Sequence, residues 1–197
     1  SSSATLTATT AGTCLIAATK ASDTNYLSAT TSNLTFTFST ATQTITFTAP
    51  STTQFSAGTV SVSGTSSSGL TVAFTSGSTS VCTVSSFTVT MVKAGTCTLS
   101  TAQSGNANYV SATPVTHSFE ITLADQAALS LTSTTATFGA NLTLTTSGGS
   151  GTGDVSYIKV SGDCTVAGTT LTPTAAGSCD VTATKAADTQ YASASVT

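Results

Sequence analysis

Apolar and hydroxyl side chains alternate along most of this chain. The runs LTFTF (34–38), TITFT (44–48), TVSVS (59–63), FTVTM (87–91) and LTLTT (142–146) repeat that pattern with little interruption. A period of two is that of a half-buried β-strand, with one face on a core and the other in water. Threonine suits the wet face because it is both β-branched and polar. Turn signals separate the runs: SSSG (66–69), SGS (76–78), AGT (94–96), SGGSGTG (147–153) and AAGS (175–178). No stretch sustains the i, i+3, i+4 apolar spacing of a helix. Many short strands at regular spacing predict an all-β protein built of antiparallel sandwiches, about 80 residues each.

The chain also repeats itself. TTAGTCLIAATK (9–20) returns as VKAGTCTLSTAQ (92–103) and PTAAGSCDVTATK (173–185), which places Cys14, Cys97 and Cys179 at intervals of 83 and 82 residues. DTNYLSA (23–29), NANYVSA (106–112) and DTQYASA (188–194) follow in register. SVCTV (80–84) matches GDCTV (162–166), and NLTFTF (33–38) matches THSFEI (116–121). A period of this length marks a tandem array. The alignment divides the chain into the late part of one repeat (1–40), a complete repeat (42–122) and a repeat lacking its last strand (125–197). On this reading both ends are cuts through a longer protein.

Cys82 and Cys97 stand fifteen residues apart, as do Cys164 and Cys179. Two short strands and their turns fit between the members of each pair, so each reads as one disulfide per repeat. A zinc site is the alternative, but a single pair per repeat and one histidine match no zinc spacing. Closing such a loop stabilises a domain by about 3 kcal/mol in the chain-entropy model. Cys14 has no such neighbour and is unpaired in this chain; its partner is expected just before Ser1. Disulfides persist outside the reducing cytosol, so the predicted location is extracellular.

Composition narrows the function. Of 197 residues 39% are hydrophobic and only 6% are charged, with a net charge of −3. A mean hydropathy of +0.28 argues for folding rather than disorder. Four basic residues give no patch for a nucleic-acid backbone. No apolar run has the length of a membrane span, so no membrane insertion is expected within this segment.

At SVCTVSSFTVTMVKAGTCTLSTA (80–102) the chain resembles the bacterial immunoglobulin-like domains that recur in tandem in large surface proteins and adhesins. The residues carrying the resemblance are Val81 and Val84, then Val89–Thr90, the turn Ala94-Gly95-Thr96 and the strand Thr98–Thr101. The third repeat matches at Val166, Leu171–Thr172, Ala176-Gly177-Ser178 and Val181–Thr184. The cysteines fall where commoner members carry small residues, which implies a disulfide-bearing subset. The resemblance implies tandem Ig-like sandwiches that act mostly as spacers and sometimes bind a ligand.

Candidate chemistry is sparse. Nucleophilic catalysis of the Ser-His-Asp kind needs a histidine, and His117 stands in a predicted strand, as an incidental residue. Asp154 and Asp163 do not recur and read as solvated loop charges. Asp23, Asn106 and Asp188, with Asn25, Asn108 and Gln190, recur before each tyrosine. Calcium takes six to eight oxygens and usually several carboxylates, so Asx turns fit this loop better. Tyr26, Tyr109 and Tyr191 read as packed at a sandwich end with hydrogen-bonded hydroxyls. Asn33 and Asn141 sit in N-glycosylation patterns of the kind expected by chance in such a threonine-rich chain. Lys93 and Glu120 do not suffice for an isopeptide bond. No catalytic residue, metal or cofactor is predicted.

The expected function is non-enzymatic: a structural module of an extracellular bacterial stalk, fibre or filament. Its partners would be neighbouring repeats, and identical chains if they pack into a filament or sheath. Short connections, STATQ (39–43) and LADQA (123–127), favour a stiff array. An adhesin segment binding glycan or a host protein through sandwich-end loops is the second expectation, with SGGSGTGD (147–154) as its candidate loop. A filament subunit completed by a strand donated from a neighbour is the third.

Overall fold

A computed structural model describes residues 3–197. Strands account for nearly all of its regular structure, and among the described residues the only helical turn is the 3-10 turn Phe55–Ala57. The chain folds into two compact units, and the central repeat contributes to both. One unit holds the residues up to Thr48 with Ser63–Phe74 and Ser100–Thr116; the other holds Ala49–Val62, Thr75–Leu99 and His117–Thr197.

In the first unit Gly12–Ile16 pairs antiparallel with Leu34–Phe38, Cys14 facing Phe36. Leu15 and Leu34 stay exposed on this ribbon, so it buries little apolar surface. Ile45–Phe47 pairs with Gly64–Ser66. There Phe47 and Phe74 meet edge to face at 5.1 Å. Gly64 leaves them room: a Cβ at that position would stand 3.2 Å from both the Phe74 ring and Val72. Thr101 is fully buried, and its hydroxyl is satisfied by donating to the Val115 carbonyl at 3.1 Å.

In the second unit Cys82–Ser85, Thr88–Met91 and Thr59–Ser61 form one sheet of the central repeat. The facing sheet runs in the order Thr53–Gln54, Val115–Thr122, Gly95–Ala102, Ala73–Ser76. Leu99, Val89 and Ile121 are almost wholly excluded from solvent between them. The third repeat is built likewise. Leu142–Thr143, Thr170–Pro173 and Cys164–Ala167 make one sheet, and Val155–Gly162, Cys179–Lys185 and Ala194–Val196 the other. Leu144, Cys164, Leu171 and Val181 form its core.

The central and third repeats are all-β sandwiches, with two departures from the expected plan. The strands are not wholly antiparallel, because Thr53–Gln54 runs parallel to Ile121–Thr122. LTLTT (142–146) is not one strand. Leu142–Thr143 pairs with Thr170–Leu171, Thr146 pairs with Leu131, and buried Leu144 lies at the crossing. TVSVS (59–63) divides in the same way, ending its strand at Ser61. Alternation marks which face a residue points to, but it does not mark where a strand changes sheets.

The exposed threonines have a structural use. Hydroxyls of Thr132 and Thr145 lie 2.7 Å apart across neighbouring segments, those of Thr98 and Ser118 2.9 Å, and those of Thr184 and Ser195 2.9 Å. Cross-strand hydroxyl pairs of this kind stabilise a sheet by roughly 0.2–1 kcal/mol each without adding charge.

Candidate functional site

The disulfide of the central repeat is fully buried. Cys82 and Cys97 are bonded, with Cα atoms 5.7 Å apart and no exposed surface. Cys164 and Cys179 are bonded with Cα atoms 5.8 Å apart. Each bond runs from one sheet of its sandwich to the other, so it clamps the two layers. Cys14 is a free thiol, half-buried. The structure therefore has two disulfides rather than one for every repeat, because the first, partial repeat holds one cysteine. Formed disulfides place the chain in an oxidising compartment. Among the described residues no helix is long and apolar enough to cross a membrane.

The titratable residues are scattered. His117 is exposed on the strand Val115–Thr122, and Asp154 and Asp163 are exposed in separate loops. Among the described residues no three of His, Cys, Asp and Glu gather as metal ligands would. Glu120 accepts from the Thr96 hydroxyl at 2.9 Å. With Lys93 and Asp188 it lines a shallow hollow of about 670 Å³.

The loop before each tyrosine is built the same way three times. Asp23 Oδ1 accepts the backbone N–H groups of Asn25 and Tyr26, both at 2.9 Å. Asn106 Oδ1 accepts those of Asn108 and Tyr109 at 2.8 and 3.0 Å. Asp188 Oδ1 accepts those of Gln190 and Tyr191, both at 2.8 Å. A backbone bond from the first residue to the tyrosine carbonyl closes each loop. These are Asx turns: the short side chain stands in for a backbone carbonyl and locks the loop. Asp188 carries a further load, since its Oδ2 accepts from the Thr152 N–H and hydroxyl. Hydrogen bonds from the Thr152, Gln190 and Tyr191 amides favour the carboxylate and lower its pKa to about 2.

Thr152 belongs to SGGSGTGD (147–154), whose glycines read as a free turn in the sequence. The structure shows another reason for them. A Cβ on Gly153 would run into the Ala186 carbonyl, and one on Gly151 into the Asp188 carboxylate. The loop is packed against the Ala186 backbone and against the carboxylate of the Asx turn.

No family model matches the chain, and no curated protein matches it. The recurring geometry is therefore the guide to what the repeats do.

Two residues that the sequence reading passed over complete it. Gln43, almost wholly buried, donates to the Val110 carbonyl at 2.7 Å. Gln126 donates to the Ala192 carbonyl at 2.8 Å. Beside them, the Ala41 N–H donates to the Asn108 carbonyl and Ala41 accepts from Val110; Ala124 does the same with Gln190 and Ala192. The signal was present, since Ala41 and Gln43 recur at Ala124 and Gln126 after 83 residues. It was hidden in segments that looked like linkers.

The tyrosines do not share one environment. The Tyr191 ring packs edge on against Phe55 of the preceding repeat, with centroids 6.0 Å apart. Tyr26 is instead 71% exposed. Beside Tyr191, Gln190 Nε2 donates to the Val92 carbonyl at 3.1 Å, and the Ala94 N–H donates to the Thr189 carbonyl at 2.9 Å. At the equivalent place one repeat earlier, the Ala11 N–H donates to Asn108 Oδ1 at 2.9 Å.

Proposed function

We propose that this chain is a non-enzymatic structural segment of an extracellular bacterial stalk or fibre, built of Ig-like repeats and serving as a spacer. The observation that carries this reading is the absence of slack between repeats. The strand Val115–Thr122 ends two residues before Ala124, which is already hydrogen-bonded into the next repeat. Leu34–Phe38 ends three residues before Ala41, which is bonded in the same way. Bonded connections, one of them flanked on both sides by inter-sheet disulfides, suit a chain that carries tension and resists proteolysis. A neutral hydroxyl surface adds little repulsion between neighbouring chains.

The test is to pull single molecules with and without reductant. The fifteen-residue disulfide loop in the central repeat withholds about 50 Å of contour at ~3.3–3.6 Å per residue. Sharp unfolding events that lengthen by that amount on reduction are expected. Smooth extension without discrete events would refute the spacer role.

A second reading, acceptance of a donated strand, is favoured by a cleft of about 790 Å³ in the third repeat. Ser130, Leu144, Val181 and Val196 are among its lining residues. A peptide spanning 115–122 that protects the Cys179–Val181 amides from exchange would support this reading.

A further inference from the structure

The segment that enters each repeat is held in the same way twice. Ala41 forms a parallel bridge to Tyr109, and Ala124 forms one to Tyr191. Each bridge consists of two backbone bonds. Ala41 donates to the Asn108 carbonyl at 2.8 Å and accepts from the Val110 N–H at 2.9 Å; Ala124 donates to Gln190 at 2.9 Å and accepts from Ala192 at 2.8 Å. Two residues further on, a glutamine closes over the bridge. Gln43 Nε2 donates to the Val110 carbonyl and to Gln103 Oε1, while its Oε1 accepts from the Ser68 hydroxyl. Gln126 Nε2 donates to the Ala192 and Ala186 carbonyls, while its Oε1 accepts from the Gly151 N–H. Each side-chain amide thereby joins the entry segment to a loop and to the stretch beside the tyrosine. A buried amide is costly unless its polar atoms are met. Gln43 is 6% exposed, and both its donors and its acceptor are used.

The direction of the bridge decides how it meets tension. In a loaded stalk the pull of the preceding repeat reaches Ala41 from its N-terminal side. The opposing pull reaches Tyr109 and Val110 from their C-terminal side, through Val115–Thr122, the strand that leads out of the repeat. Because the bridged segments run parallel, these pulls slide one along the other and load every bond between them at once. An antiparallel pair pulled from one end would lose its bonds singly. Gln43 sits on one segment and bonds the other, so it adds to the group that must break together. We infer that Gln43 and Gln126 are mechanical latches, and that each bridge with its glutamine, rather than the hydrophobic core, sets the load at which its repeat opens. Forced unfolding is governed by the rate of opening, which depends on the interactions lost on the way to the barrier. The inference deepens the spacer role proposed above and rests on it.

The experiment holds the whole chain at constant load through its termini and times the opening of the central repeat. That event is identified as the one lengthened by the Cys82→Ala, Cys97→Ala double variant. Gln43→Met keeps a side chain of similar length and removes the amide. It is expected to raise the opening rate about tenfold, as loss of about one or two net hydrogen bonds does. Ser68→Ala removes a single latch bond from a half-buried loop and should raise the rate about threefold, even if Gln43→Met fails to fold. Val89→Ala is the comparison, since it empties a core position with no exposed surface that takes no part in the bridge. In urea without load, Val89→Ala should speed unfolding at least as much as Gln43→Met. Under load its effect should be several times smaller. Equal effects of the two under load, or an unchanged rate in both Gln43→Met and Ser68→Ala, overturn the inference; discrete unfolding of the parent chain would then leave the spacer role standing. Smooth extension of the parent chain removes both.

Discussion

Asn108 Oδ1 accepts the Ala11 backbone N–H at 2.9 Å, across 97 residues of chain. The same asparagine gives its own N–H to Asn106 Oδ1 and its carbonyl to the Ala41 N–H. One residue therefore ties its loop, the first bonded residue of its own repeat and the turn of the repeat before. Removing such a residue should loosen a joint without emptying a core.

At the next joint this can be read directly. Gln190→Ala is expected to raise hydrogen exchange at the Ala94 amide about tenfold through local opening, while Leu171 and Val181 keep their protection. Unchanged exchange at Ala94 would remove the side chain from the joint.

Reducing Cys82–Cys97 should cost the central repeat about 3 kcal/mol, because the fifteen-residue loop regains its freedom when unfolded. Calorimetry of the Cys82→Ala, Cys97→Ala double variant checks the magnitude. Peptide mapping without reductant checks the premise: of the five cysteines only Cys14 should take up a thiol reagent.

Acid should loosen the third repeat first at its Asx turn. The folded pKa of Asp188 lies below its ordinary value of 3.8, at about 2. A depressed carboxylate pKa contributes stability above the unfolded pKa, and that stability is lost as pH falls from about 4 through about 2. An NMR titration should give Asp188 a midpoint near 2, and Asp188→Asn should flatten this part of the stability profile. A midpoint near 4 would contradict the bond pattern.

Gly153→Ala places a methyl against the Ala186 carbonyl and should destabilise the third repeat by about 1–3 kcal/mol, the usual range for overpacking. Urea midpoints of the variant provide the check. Gly168→Ala is the contrast, since a Cβ there meets nothing and the strain comes only from its φ of 58°.

Leu99→Ala empties a site with no exposed surface and should cost about 2–5 kcal/mol. Leu27→Ala, at a residue 92% exposed, should change stability by less than about 0.5 kcal/mol. Equal effects would mean that the core lies elsewhere.

The alternation of Leu34–Phe38 and Thr88–Met91 was enough to locate those strands, because a period of two ties each side chain to a face wherever the strand runs. Internal repetition was enough to single out the Asp23, Asn106 and Asp188 loops, whose turn chemistry lies within four residues. The change of sheet at Leu144 was not legible, since alternation continues through it. Nor was the crowding at Gly151 and Gly153, because glycine marks a flexible turn and a close approach with the same letter.

What the chain alone determined is everything local or periodic: strands, turns, repeat length and the spacing of each cysteine pair. What only the tertiary structure decided is which distant groups meet: Tyr191 on Phe55, Gln190 on Val92, Asn108 on Ala11. Those contacts depend on two repeats being held side by side. No property of a tyrosine or an asparagine in its own segment reports which surface will stand opposite it.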